Sequence, residues 1–265
     1  MRIRSVTALF IFALCLGAAS AADDPPLLAQ SPTLSKAEIV FNYGGYLWSI
    51  PREGGQARQL TTGGHERGAL FSPDGQRLAF TAEYDGNVDV FVMPAAGGVP
   101  RRLTWHPGAD VAVGWTPDGK RVLFRSDRDA YADFNRFYTI PDDGGWPEAL
   151  PMWRAEEGSF SPDAFRIAYV PNLKWQNAWK RYRGGQTTPI YLVRLKDLNL
   201  EKIPRDNSND SNPVWKGDTV YFLSDRNGPV TLFGYETKSK TVKQLIANGG
   251  LDFKSLSAGP DALVY

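Results

Sequence analysis

Phe71-Ser72-Pro73-Asp74-Gly75 runs into Leu78-Ala79-Phe80, and the pattern returns along the 265-residue chain. Trp115-Thr116-Pro117-Asp118-Gly119 precedes Val122-Leu123-Phe124, and Phe160-Ser161-Pro162-Asp163-Ala164 precedes Ile167-Ala168-Tyr169. Weaker copies are Trp215-Lys216-Gly217-Asp218 before Val220-Tyr221-Phe222, and Leu256 to Asp261 before Leu263-Val264-Tyr265. An earlier triplet, Ile39-Val40-Phe41, stands 39 residues before Phe80. The closing aromatics fall at 80, 124, 169, 222 and 265, in steps of 44, 45, 53 and 43. Ser-Pro-Asp-Gly suits a type I turn: serine at the first corner, proline with its fixed φ next, glycine last. The apolar triplet that follows reads as a short buried strand.

Working outward, a third strand follows in Val88-Asp89-Val90-Phe91-Val92 and Arg136-Phe137-Tyr138-Thr139-Ile140. Glycine pairs at 54–55, 97–98 and 144–145 then supply positive φ for a hairpin. A fourth strand ends at Leu60-Thr61, Leu103-Thr104, Leu150-Pro151, Ile203-Pro204 and Leu245-Ile246. Those landmarks step by 43, 47, 53 and 42, in phase with the first series. Four short strands every 40–50 or so residues predict a β-propeller. A β-sandwich has no reason to repeat two landmarks in register. Blades are expected at about 32–61, 68–104, 112–151, 157–204 and 212–246, with a sixth from 252 to 265. The fold class is therefore all-β, a propeller of at least six four-stranded blades, incomplete here. Because Tyr265 falls inside a strand, the expectation is a truncated chain with an open ring and, expressed alone, poor solubility.

Thirty Lys and Arg against 29 Asp and Glu give a net charge of +1, which argues against a nucleic-acid partner. Arg2 and Arg4, the apolar run from Ala8 to Gly17, and the small residues Ser20-Ala21-Ala22 predict a signal peptide over 1–22. The expected location is the periplasm, with no membrane span once the signal is removed. The only cysteine, Cys15, lies within that segment, so the mature chain offers no thiol nucleophile or disulfide.

His65 and His106 sit in links between blades without metal-ligand spacing and read as loop histidines. No Gly-x-Ser-x-Gly elbow or phosphate loop occurs, and neither a cofactor nor a metal is expected. Asp127, Asp129, Asp133, Asp142 and Asp225 recur with the blade period, which assigns them to holding turns rather than to paired acid–base work. The fourth step is long because of an insert from Lys174 to Gln186. Its Trp175, Trp179, Arg181, Tyr182 and Arg183 are candidate peptide contacts, since aromatics and guanidinium groups recognise chains and carboxylates. Packing against a neighbouring blade or domain is the competing reading of the same insert.

The repeat resembles that shared by the Tol-Pal periplasmic propeller, tricorn proteases and prolyl-oligopeptidase-type enzymes. Ile39 to Trp48, Phe137 to Pro151 and Trp179 to Gly185 resemble bacterial tricorn-type serine peptidases more specifically. That resemblance implies a longer, oligomeric enzyme that hydrolyses peptides through a serine nucleophile, with downstream domains of the same chain as partners. It also implies that the catalytic residues lie beyond Tyr265, so the catalytic set here is empty and the fragment is expected to be inactive. Its share would be gating or selecting peptide substrates. The archaeal namesake is cytosolic, so the family alone would point to the cytoplasm. The alternatives are a non-catalytic Tol-Pal-type binding propeller and the propeller of a prolyl-oligopeptidase-type hydrolase. The former carries an α/β domain before its propeller, for which only ten to fifteen or so residues are available here.

Overall fold

The computed structural model describes residues 28–63, 65–129, 134–174, 176, 180–247 and 249–265. The predicted signal peptide, Trp175, Trp179 and Asp133 lie outside the described residues.

Five antiparallel four-stranded sheets and one two-stranded sheet follow one another along the chain. From inside outward, blade 1 is Gln30–Leu34, Glu38–Tyr43, Tyr46–Pro51 and Arg58–Gln59. Blade 2 is Glu66–Phe71, Arg77–Tyr84, Asn87–Pro94 and Arg101–Arg102. Blade 3 is Val111–Trp115, Arg121–Ser126, Arg136–Pro141 and Glu148–Ala149. Blade 4 is Glu157–Phe160, Arg166–Val170, Tyr191–Arg194 and Leu200–Lys202. Blade 5 is Asp210–Lys216, Thr219–Ser224, Thr231–Glu236 and Thr241–Gln244, and the sixth position holds Ser257–Ala258 and Leu263–Val264.

The apolar triplets are second strands, and those of blades 2, 3 and 4 are buried on both faces because they are sandwiched between blades. Alternation then assigns side chains to neighbours. Leu78 and Phe80 pack into the core shared with blade 1, whereas Ala79 joins the core shared with blade 3. Val122 and Phe124 face blade 2, and Leu123 faces blade 4. There is thus no single core but one between each successive pair, as in other repeat architectures. Ring pairs occupy equivalent places in three of these cores: Phe80 with Phe91, Phe124 with Tyr138, and Phe222 with Phe233, with centroids 5.5–6.0 Å apart.

The turns form as their sequence dictates. Gly75 N–H bonds to the Ser72 carbonyl at 2.8 Å, closing the turn, and Ser72 Oγ donates to Asp74 at 2.5 Å. Thr116 and Ser161 repeat that hydroxyl–carboxylate bond to Asp118 and Asp163. These hydroxyls hold Asp74, Asp118 and Asp163 below the ordinary carboxylate range. The last corner needs positive φ: Gly75 has +72°, Gly119 has +70°, and Ala164 adopts +61° despite its Cβ.

Polar latches cross the joints at the turn end. Trp115 Nε1 donates to the Leu70 carbonyl at 3.0 Å, Arg77 lies over the Trp115 ring and pairs with Asp142, and Arg166 covers Trp215 at 4.7 Å. The propeller is incomplete as expected, with two strands at the sixth position, yet that position contacts the blades on both sides of it. Lys216 Nζ donates to the Gly259 and Pro260 carbonyls at 2.8 and 2.7 Å, tying it to blade 5. On the other side Ser257 Oγ donates to Thr33 Oγ1 at 3.2 Å, and Arg52 pairs with Asp261 at 2.7 Å. The two strands of the sixth position thus touch both blade 5 and blade 1.

Candidate functional site: the axial channel

The six inner strands surround a channel of about 1000 Å³. Packing six twisted sheets radially leaves this space because inner strands meet edge-on rather than face-on. Much of the wall is short side chains and backbone: Ser31, Gly68, Ala112, Gly158 and Ser255 contribute from five of the blades.

Inner strands bulge where they face the axis. Register shifts occur between Gln30 and Thr33, between Arg67 and Leu70, and between Ser211 and Val214. Each bulge contains a residue of positive φ: Ser31 at +49°, Gly68 at +62° and Asn212 at +49°. A bulge frees backbone groups from the ladder, and a buried unpaired N–H is costly. The preceding blade supplies the acceptor. Asn42 Oδ1 accepts Gly68 N–H at 2.9 Å, Thr81 Oγ1 accepts Ala112 N–H at 3.0 Å, and Glu157 accepts Asn212 N–H at 2.5 Å. The channel wall is thereby fixed blade to blade, and of these acceptors Glu157 also lines the bore.

The ionisable groups are unevenly placed. Arg125, Glu156 and Glu157 form a patch between blades 3 and 4. Arg125 Nη1 donates to the Glu156 carbonyl at 3.0 Å and stands 3.4 Å from its carboxylate, which also receives Asn135 at 2.9 Å. Burial pushes both glutamate carboxyls above their ordinary value, against the opposing pull of Arg125 and their hydrogen bonds. A raised carboxyl binds protons more readily in the folded state, so its contribution to stability falls as pH rises through the window above the unfolded value. Glu157→Gln keeps an acceptor for Asn212 and removes the buried charge. It is expected to stabilise the fold by about 1 kcal/mol at neutral pH and to do less at pH 4; denaturant melts at the two pH values measure this, and an equal effect at both would contradict it.

A second feature escaped the reading of the sequence: a buried acid heads four inner strands, at Glu66, Asp110, Glu156 and Asp210. Tyr84 donates to Glu66 at 2.5 Å, Arg128 to Asp110 at 2.6 Å, and Arg226 to both Asp210 oxygens at 3.1 Å. The signal was present as an acid five residues before an aromatic, in Glu66/Phe71, Asp110/Trp115 and Asp210/Trp215.

The insert lies at the end of the ring opposite the Ser-Pro-Asp-Gly turns. Arg183 donates to the Asp225 carboxylate at 2.8 Å and to its carbonyl at 3.0 Å. Asn209 donates to the Tyr182 carbonyl at 2.9 Å, and Lys180 pairs with Asp252 at 3.1 Å. Arg181 is exposed, with φ +53°. The described part of the insert straps blade 4 to blade 5 and to the head of the sixth position, and none of its described residues lines the channel. Asp225 thus binds the insert and also receives Asn209 N–H at 2.8 Å; Asp129 receives the Tyr138 hydroxyl at 2.9 Å. His106 Nδ1 accepts Gly108 N–H at 3.0 Å inside its own loop.

The fold and channel define a β-propeller of the six-position, axially open kind. Residues 26–265 match the family of tricorn protease N-terminal β-propeller domains, and the chain belongs to that family. A tricorn protease homologue of Streptomyces coelicolor is 29% identical over 201 residues, which cover 74% of this chain and 18% of the relative. The chain therefore spans about a fifth of that relative's length. The crystal structure of the tricorn protease superposes with a TM-score of 0.76 at 22% identity, covering 87% of this chain and 23% of that one. The TolB structure from Acinetobacter baumannii gives 0.65 at 20% identity, over 84% of this chain and 55% of that one, and shares the fold. Among the described residues no helix is long and apolar enough to cross a membrane.

Proposed function

We propose that this chain is the N-terminal propeller of a longer, exported, serine-type peptidase, and that its channel admits or releases peptide chains for a catalytic core elsewhere in the polypeptide. Membership of the tricorn propeller family supports the peptidase reading. The observation that carries the channel's role is its wall of short side chains around about 1000 Å³, without a complete ring of charge. Such a wall discriminates by bulk and extension more than by side-chain charge. Peptides, the remaining domains and further copies of the chain are the partners this reading implies.

The test uses the protein extended to the length of its relatives. Ser255→Trp narrows the channel without removing a backbone latch. Turnover of fluorogenic peptides longer than about ten residues should fall several-fold, with cleavage of tripeptides less affected. Equal turnover at every length would remove the channel from the substrate path. No peptidase activity in the unsubstituted protein would favour a binding propeller instead.

A further inference from the structure

At the perimeter, neighbouring blades are bridged by polar contacts. Arg58 reaches the Ala96 carbonyl between blades 1 and 2, and Arg101 reaches the Asp143 carbonyl between blades 2 and 3. Glu201 meets Tyr235 and Lys240 between blades 4 and 5. Among the described residues no such bridge spans the outer strands of blades 3 and 4. A notch of about 220 Å³ opens there instead.

Its lining is apolar apart from Arg154, with Met152, Trp153, Tyr169, Val193, Leu198 and Leu200. The Trp153 side is 79% exposed, Leu200 55% and Leu198 42%, a clustering beyond the scattered apolar residues of an ordinary surface. Trp153 is held upright, because Arg136 lies beneath its ring at 5.4 Å while donating to the Leu150 and Met152 carbonyls. Arg154 stacks on Phe134 at 3.6 Å. Neither arginine is ion-paired among the described residues, and the lining contains no carboxylate. One side of the notch is Leu200–Lys202, whose outer edge has no strand partner. A tryptophan over an apolar hollow, with Arg154 in its wall and Arg136 beneath the indole, has the composition of an interface hot spot.

We infer that this notch docks an extended acidic segment of a partner polypeptide, which inserts a leucine or phenylalanine beside Trp153 and sets a carboxylate against Arg154. The free edge of blade 4 offers backbone pairing to the same segment, so register and side-chain anchoring reinforce each other. This surface is separate from the channel and does not depend on peptidase activity.

The probe is a labelled pentapeptide of glutamate, leucine, phenylalanine, leucine and glutamate, titrated by anisotropy, beside a version with lysines for glutamates. The acidic peptide should bind with a dissociation constant on the order of 10–100 μM and weaken with salt. Trp153→Ala and Leu200→Asp, both at exposed positions, should each weaken it about tenfold. Equal binding of the lysine peptide, or unchanged binding to both variants, would overturn the proposal. A dimer dispersed by Trp153→Ala would make a second copy the occupant and would likewise overturn it. So would Trp153 already shielded from acrylamide quenching in the extended protein without peptide, because the chain itself would then cover the notch.

Discussion

Asp210→Ala is expected to lower the stability of the fold by about 3–5 kcal/mol. The carboxylate is fully buried and receives Ser208, Ser224 and two bonds from Arg226 Nη2. Arg226 is itself well covered, and its guanidinium lies over the Phe222 and Phe233 rings at 5.1 and 5.0 Å. Deleting the acid strands a buried cation and two hydroxyls, and an uncompensated charge costs far more than the pair contributes. Asp210→Asn retains acceptor capacity but loses the charge, so it should fall between the wild type and Asp210→Ala. Urea melts followed by tryptophan fluorescence measure all three. A loss below about 1 kcal/mol for Asp210→Ala would show that water reaches Arg226 and that the acid heads are dispensable.

Phe222→Ala should cost a comparable amount, about 3–5 kcal/mol. The ring is fully buried in the core between blades 4 and 5, against Trp215, Phe233 and Tyr235. Its removal forfeits transfer free energy and leaves a cavity between two sheets whose backbones are held by their own ladders and cannot close on it. Because that core belongs to one joint, the effect should be local as well as large. Hydrogen exchange should speed up in blades 4 and 5 before it does in blades 1 and 2. Uniform acceleration would show instead that the ring unfolds as one cooperative unit.

The propeller was legible because its two landmarks have chemical causes that recur. A Ser-Pro-Asp-Gly corner must turn, and an apolar triplet buried on both faces must contain no charge. The third such corner shows the limit of that reading. Ala164 occupies the glycine slot with φ +61°, so the hydroxyl–carboxylate bond of Ser161 and Asp163, rather than the glycine, specifies the turn. The channel wall was not legible, because bulges at Ser31, Gly68 and Asn212 use three different residue types for one conformation. Nor were the acceptors from the preceding blade, since Asn42, Thr81 and Glu157 hold Gly68, Ala112 and Asn212 with three different functional groups. The insert drew notice through its aromatics and cations, yet Arg183 and Lys180 are committed to Asp225 and Asp252. Their partners lie 42 and 72 residues away along the chain, beyond the reach of any local pattern.

The closure between the sixth position and blade 1 differs in kind from the other joints. Four successive pairs of blades share an apolar core, and so does the pair of blade 5 with the sixth position. At the remaining joint the described bonds are a hydroxyl pair and an ion pair whose members are 26% and 59% exposed, with Gly259 pressed close against Leu34. Arg52 holds the Asp261 carboxyl below its ordinary value, so the bond persists above that value and is lost on acidification. Salt loosens it as well, while leaving the apolar joints tight. At this joint, then, acid and salt act on the ion pair between Arg52 and Asp261, whereas the other joints rest on apolar cores.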